Sequence, residues 1–248
     1  KRRGANQGIL RIDHPDIEKF IGIKSSNPDA MSNFNLSVAV TDRFMKAVKA
    51  GRDFGLVNPR TGKTVRKVNA GKLFRRITES AWKCGDPCMI FIDEINRSNP
   101  VPGAGKLKAT NPCAELPLLP YESCNLGAIN LSKAVRKEKG SNAVDWNKLR
   151  KLVQLGVDFL DNVIDRNRYP LKEIRDMTLA NRKIGLGVMG FADMLIMLGL
   201  PYDSEEAVNM GEEIMRFIKE ESKKQSQAIA EKKGSFPNFS KSIWKGKR

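Results

Sequence analysis

The chain has 248 residues, 40% of them hydrophobic, with 44 Lys and Arg against 28 Asp and Glu and a net charge of +16. That apolar content is enough for a sizeable core in one large domain or two ordinary ones, and it excludes a disordered chain. No run reaches the roughly 18 to 20 apolar residues of a membrane span and the N-terminus opens no secretory signal, so a cytoplasmic protein is expected.

In chain order, Gly8 to Ile12 predicts a short strand, and Asp13-His14-Pro15-Asp16 a turn in which Asp13 caps and Pro15 starts a helix through Ile17, Phe20 and Ile21. Alternation over Asn35 to Val40 predicts a second strand, followed by a helix to Gly51 capped by Thr41 or Asp42. Residues 54–69, centred on Asn58-Pro59-Arg60-Thr61-Gly62, predict a surface hairpin inserted between helices. A helix follows from Ala70 to about Lys83, with Leu73, Ile77 and Trp82 inward and Gly85-Asp86-Pro87 as its stop. Cys88 to Ile92 is a continuous apolar run and predicts a strand covered on both faces, in which Cys88 packs. Residues 98–110 are loop.

The next stretch is the most informative in the chain. Asn111-Pro112-Cys113-Ala114-Glu115 brings a thiol, a carboxylate and an amide into five residues, with prolines at 112, 117 and 120 that forbid a helix and a second thiol at Cys124. In an extended segment, period-two alternation would aim Asn111, Cys113 and Glu115 to one side. Beyond it come a strand over Leu126 to Leu131, a charged connection, and an amphipathic helix from about Asp145 to Arg166. Helix continues over 171–181. A glycine-rich strand follows over 182–190, where the glycines permit close backbone approach, then a helix over Phe191 to Leu198 and a long helix from Ser204 to Lys233. Strand and helix alternate, which predicts α/β architecture with parallel strands, open or closed into a barrel.

Basic residues are spread along the chain without interleaved aromatics, so a solvated face outweighs a nucleic-acid-binding module as their reading. Four cysteines without paired short spacings and one histidine predict no metal site. Cys113 has three candidate roles: packing residue, ionic nucleophile or radical carrier. Ionic chemistry would need a base such as His14, which its Asp-His-Pro turn already explains. Glu115 is a candidate proton acceptor or a solvated loop acid.

The run Asn-Pro-Cys-x-Glu, then Pro-Leu-Leu-Pro-Tyr-Glu-Ser-Cys-Asn-Leu-Gly-x-Ile-Asn-Leu, resembles the finger loop of ribonucleotide reductase catalytic subunits. The eleven-residue step from Cys113 to Cys124 is most like the adenosylcobalamin-dependent class II enzymes. The resemblance extends through Arg3-Gly4-Ala5-Asn6, Asp13-His14-Pro15-Asp16-Ile17, Asn33-Phe34-Asn35, 91–97, 185–193 and Gly234-Ser235-Phe236-Pro237, essentially the whole chain.

It implies a ten-stranded α/β barrel with a central finger loop, of which residues 1–248 are the central part, truncated at both ends and inactive alone. It also implies catalytic roles: Cys113 as the thiyl radical that takes the ribose 3′ hydrogen, Glu115 as acceptor of the 3′-hydroxyl proton, Asn111 as holder of the ribose hydroxyls. Cys124 would be one of two reducing thiols, its partner upstream of residue 1. Arg3, Gly4, Ala5 and Asn6 would end a substrate-specificity loop.

Ala114, Leu116 and Gln7 stand where Gly, Gln and Met are familiar. Adenosylcobalamin, an external dithiol such as thioredoxin, a ribonucleotide substrate and a nucleotide effector are the implied cofactor and partners, with a homodimer as candidate assembly. An inactive remnant of the reductase fold is the alternative within the same resemblance.

Overall fold

A computed structural model describes residues 4–138 and 140–246. The chain divides into two compact units, Lys1–Pro120 and Tyr121–Arg248.

In the first unit, β1 (Asn6–Arg11), β2 (Phe34–Val40) and β5 (Cys88–Phe91) form a parallel sheet in the order β1-β2-β5. Between them run α1 (Ile17–Ser26), α2 (Asp42–Lys49), the antiparallel hairpin β3 (Asp53–Val57) and β4 (Thr64–Asn69), and α3 (Ala70–Cys84). Alternation along β2 sends Val38 and Val40 to one face, where they pack with Ile12 and with Ile17, Ile21, Phe44, Leu73 and Ile77 of the three helices. Ala39 and Ile90 point the other way, into a smaller cluster with Ile92 of α4 (Ile92–Arg97). Two-residue strands β6 (Ala109–Thr110) and β7 (Pro117–Leu118) pair antiparallel and close the loop between them.

In the second unit, β8 (Asn125–Asn130) pairs in parallel with β11 (Ile184–Met189). A second hairpin joins β9 (Val135–Glu138) to β10 (Ser141–Val144). The core is built by α5 (Trp146–Arg166), α7 (Phe191–Leu198) and α8 (Glu205–Lys233), through Leu149, Val153, Val157, Met194, Ile214 and Ile218. Helix α6 (Lys172–Asn181) leads into β11. Asp145 and Ser204 cap α5 and α8 by accepting the N–H groups of Lys148 and Ala207. Gly190 has φ +69, and a Cβ there would lie 2.4 Å from Asn130 Oδ1, so the β11–α7 junction admits only glycine without rearrangement.

Several expectations are corrected. Asp13 does not cap α1: its carboxylate binds the Arg11 guanidinium, and Asp16 holds the N-cap position without a side-chain hydrogen bond. Trp82 is 89% exposed, because the buried stripe of α3 runs through Leu73, Ile77 and Ser80. Strand β5 meets one cluster through Met89 and the other through Ile90, but its end residues Cys88 and Phe91 are exposed. Cys88 is therefore not a packing residue. The charged connection after β8 is the β9–β10 hairpin. The strands of the described residues form one three-stranded and four two-stranded sheets, so α/β content is present but no closed barrel is.

Candidate active site

The Cys113 turn is organised by Asn111. Its backbone N–H donates to the Leu116 carbonyl at 3.2 Å, and its side-chain Oδ1 accepts the Leu116 N–H at 3.0 Å. Its carbonyl accepts from the Ala114 N–H at 2.9 Å and the Thr110 hydroxyl at 3.0 Å. One asparagine thus closes a six-residue turn, Asn111–Leu116, in which Pro112 has no N–H to donate. Ala114 sits at φ +68, in the left-handed region. The chain therefore turns at 112–114 and is not extended, so strand-like alternation does not set the directions of Asn111, Cys113 and Glu115.

Cys113 and Glu115 are exposed on this turn, while Thr110 and Leu119 on its flanks are buried. Asn35 of β2 donates its side-chain amide to the Pro112 carbonyl at 2.8 Å, anchoring the turn to the parallel sheet. His14 Nδ1 accepts the Asp16 N–H at 3.1 Å, so that nitrogen is already engaged within its own turn.

In the second unit, Cys124 stands half-buried at the entrance to β8, its thiol 3.3 Å from the Asn125 carbonyl. It borders a pocket of about 100 Å³ with Ser123, Asn125, Val163, Tyr169 and Thr178. Two residues earlier, the buried Glu122 carboxylate accepts from Lys183 Nζ at 2.7 Å and from Asn181 Nδ2 at 2.8 Å. At the N-terminal end, Gly4 and Ala5 are exposed and Asn6 enters β1 with its N–H on the Asn33 carbonyl at 3.1 Å; Arg3 lies outside the described residues. Among the described residues no cluster of His, Cys, Asp and Glu could hold a metal ion.

The family profile described as ribonucleotide reductase, barrel domain, matches residues 1–248. The chain belongs to the ribonucleotide reductase barrel-domain family. It is 52% identical over 244 residues to the vitamin B12-dependent ribonucleoside-diphosphate reductase of Thermoplasma acidophilum, covering 98% of this chain and 31% of that protein. To the enzyme of the same name from Mycobacterium tuberculosis it is 49% identical over 242 residues, 98% of this chain and 34% of that protein. A vitamin B12-dependent ribonucleotide reductase of Streptomyces avermitilis is 32% identical over 263 residues, 97% of this chain and 27% of the relative. The chain thus spans about a third of the length of its first two relatives.

Within this reductase-family chain, Asn111, Cys113 and Glu115 share one turn, as their adjacency requires, whereas Cys124 belongs to the other unit. The reading of side-chain chemistry missed the anchors. Asn35 stands with Ser37 in a mostly apolar strand, and Thr178 and Asn181 recur three residues apart on α6, so misplaced polarity was their available signal.

Proposed function

We propose that the protein containing this chain reduces ribonucleoside diphosphates to 2′-deoxyribonucleotides by radical chemistry, with residues 1–248 as the central part of its catalytic subunit. The observation that carries this reading is the match of the whole chain to the family, together with retention of Asn111, Cys113, Glu115 and Cys124 at the motif positions.

The residues suit the task. Asn111 Oδ1 is committed to closing the turn, so its Nδ2 donors are the part that would meet the ribose hydroxyls. As a thiyl radical, Cys113 takes the 3′ hydrogen; Glu115 accepts the 3′-hydroxyl proton as the 2′ oxygen leaves as water. Two electrons and two protons come from a pair of thiols, Cys124 and a cysteine outside residues 1–248, which close into a disulfide. Glu115 then returns its proton to the 3′ oxygen, and Cys113 its hydrogen to the 3′ carbon.

The exposed thiol at the turn fits a bound radical source, since it can be approached from outside its own unit. Cobalamin in its adenosyl form would supply that radical by carbon–cobalt homolysis, and Cys113 is the residue here that would face it. A thioredoxin-like dithiol reduces the disulfide after each turnover. In the full-length parent the chain forms part of a ten-stranded barrel in a cytoplasmic enzyme that answers to a nucleotide effector, with a homodimer as its assembly and the segment Gly4–Asn6 near the specificity loop. The isolated chain does not turn over.

The test is anaerobic turnover of the full-length parent with adenosylcobalamin, a dithiol and ribonucleoside diphosphates. Cys113→Ser should abolish product and Cys124→Ser should stop dithiol-driven turnover. Wild-type rates in either variant overturn the assignment, and activity that needs a separate radical-generating subunit instead of adenosylcobalamin overturns the cofactor.

A further inference from the structure

The backbone around Cys124 is held by side chains on three sides. Ahead of it, Ser123 gives its N–H to Thr178 Oγ1 at 3.3 Å, and the two hydroxyls lie 2.7 Å apart. One residue earlier, Glu122 accepts from Asn181, and Asn181 Oδ1 accepts in turn from Asn238 Nδ2 at 2.7 Å. After the thiol, Asn125 Nδ2 donates to the Leu160 carbonyl of α5 at 2.8 Å. Thr178 and Asn181 stand three residues apart at the end of α6, hence on one face, and both are buried, at 2% and 6% exposure.

A buried network of this kind adds little stability over apolar residues of the same volume, because desolvation of the Glu122–Lys183 pair and the amides offsets the attraction. What it does impose is one geometry, since any shift leaves a buried donor or acceptor unsatisfied.

We propose that Thr178 and Asn181 are positioning residues for Cys124, fixing the two residues ahead of it so that the thiol stands where it can close a disulfide. This rests on the reductive role proposed above for Cys124. A slack of about 1 Å in such an arrangement costs on the order of 100-fold in rate.

The experiment uses the full-length parent and measures kcat, KM, Tm and the rate of Cys124 alkylation by iodoacetamide, with Cys113 as internal reference. Thr178→Val keeps the volume but removes the oxygen that Ser123 uses; it should lower kcat by about tenfold or more with KM within about twofold. Thr178→Ser keeps the oxygen and should restore kcat to within about twofold. Alkylation should follow the same pattern: the Cys124 rate changes in Thr178→Val and returns to the wild-type rate in Thr178→Ser, while the Cys113 rate is unmoved in both. Ser123→Ala, at a half-buried position, removes the same hydroxyl pair from the other side and should show a smaller drop in kcat.

Wild-type kcat and alkylation in Thr178→Val and Ser123→Ala, or loss of kcat that Thr178→Ser does not restore, would overturn the inference. The two readings fail separately: a fully active Cys124→Ser removes the role of the thiol, whereas an inactive Cys124→Ser beside a fully active Thr178→Val removes only the positioning.

Discussion

Asn35 holds the carbonyl of Pro112, at 2.8 Å, one residue before Cys113 and 77 positions away in sequence. A partly exposed neutral hydrogen bond contributes about 1 kcal/mol or less to folding, so its main consequence is where the turn stands. Asn35→Ala should therefore leave the melting temperature nearly unchanged and lower kcat of the full-length parent by about tenfold. Thermal melts and steady-state kinetics on one preparation separate the two effects; a wild-type kcat would show that the turn is held without this contact.

Ala114 tests the turn itself. At φ +68 an alanine carries a steric cost of roughly 1 kcal/mol that glycine avoids, partly offset by the greater freedom of glycine in the unfolded chain. Ala114→Gly should be neutral or stabilising by up to about 1 kcal/mol, while Ala114→Val should destabilise by more than about 1 kcal/mol. Denaturant titration of both variants checks the sign.

Glu221 predicts the acid limb of stability. Its buried carboxylate accepts from Lys224 at 2.7 Å and from Arg150 at 3.1 Å, and the Lys224 hydrogen bond, followed by the charges of Lys224 and Arg150, holds it below the ordinary carboxylate value. A folded-state value below the unfolded one gives stability that is complete above the unfolded pKa, near about 4.3, and is lost as the pH falls through the folded pKa. Glu221→Gln should melt lower than wild type at pH 7, and the gap should narrow as the pH drops below about 4. A gap that stays constant across that range would assign the effect to packing.

Arg182 ties the end of α6 to α5. Its guanidinium donates to Asp161 Oδ1 at 2.9 Å, to the Asp161 carbonyl at 3.0 Å and to Asp165 at 2.6 Å, and this pairing holds Asp165 below its ordinary value. Lys233 Nζ adds a contact to Asp161 at 2.9 Å, from a side chain that is 45% exposed. Replacing the planar fork matters more than removing the solvated ammonium: Arg182→Lys should cost about 2 kcal/mol, Lys233→Ala less than about 1 kcal/mol, read by urea denaturation.

Much of this was legible in the chain. Helices α5, α7 and α8 fall where the apolar pattern places them, because a stripe such as Leu149, Val153, Val157, Leu160 and Ile164 can bury itself in no other local conformation. The motif containing Asn111, Cys113, Glu115 and Cys124 carries the family resemblance, and its residue types are those that the proposed thiol and proton transfer requires. Burial was harder to read. Trp82 lies off the buried stripe of α3 and Cys88 at the exposed end of β5, and whether such apolar residues are covered depends on which element packs over them.

The sequence by itself therefore determined the long helices, the parallel strands β1, β2, β8 and β11 and the family, all of which are encoded in short-range pattern. The tertiary structure alone decided that Asn111 spends its carbonyl oxygen on closing the turn, that Asn35 anchors that turn from β2, and that Thr178 and Asn181 hold the approach to Cys124. The last two depend on hydrogen bonds between residues more than fifty positions apart, and hydrogen bonds at such separations leave no periodic trace in a single chain.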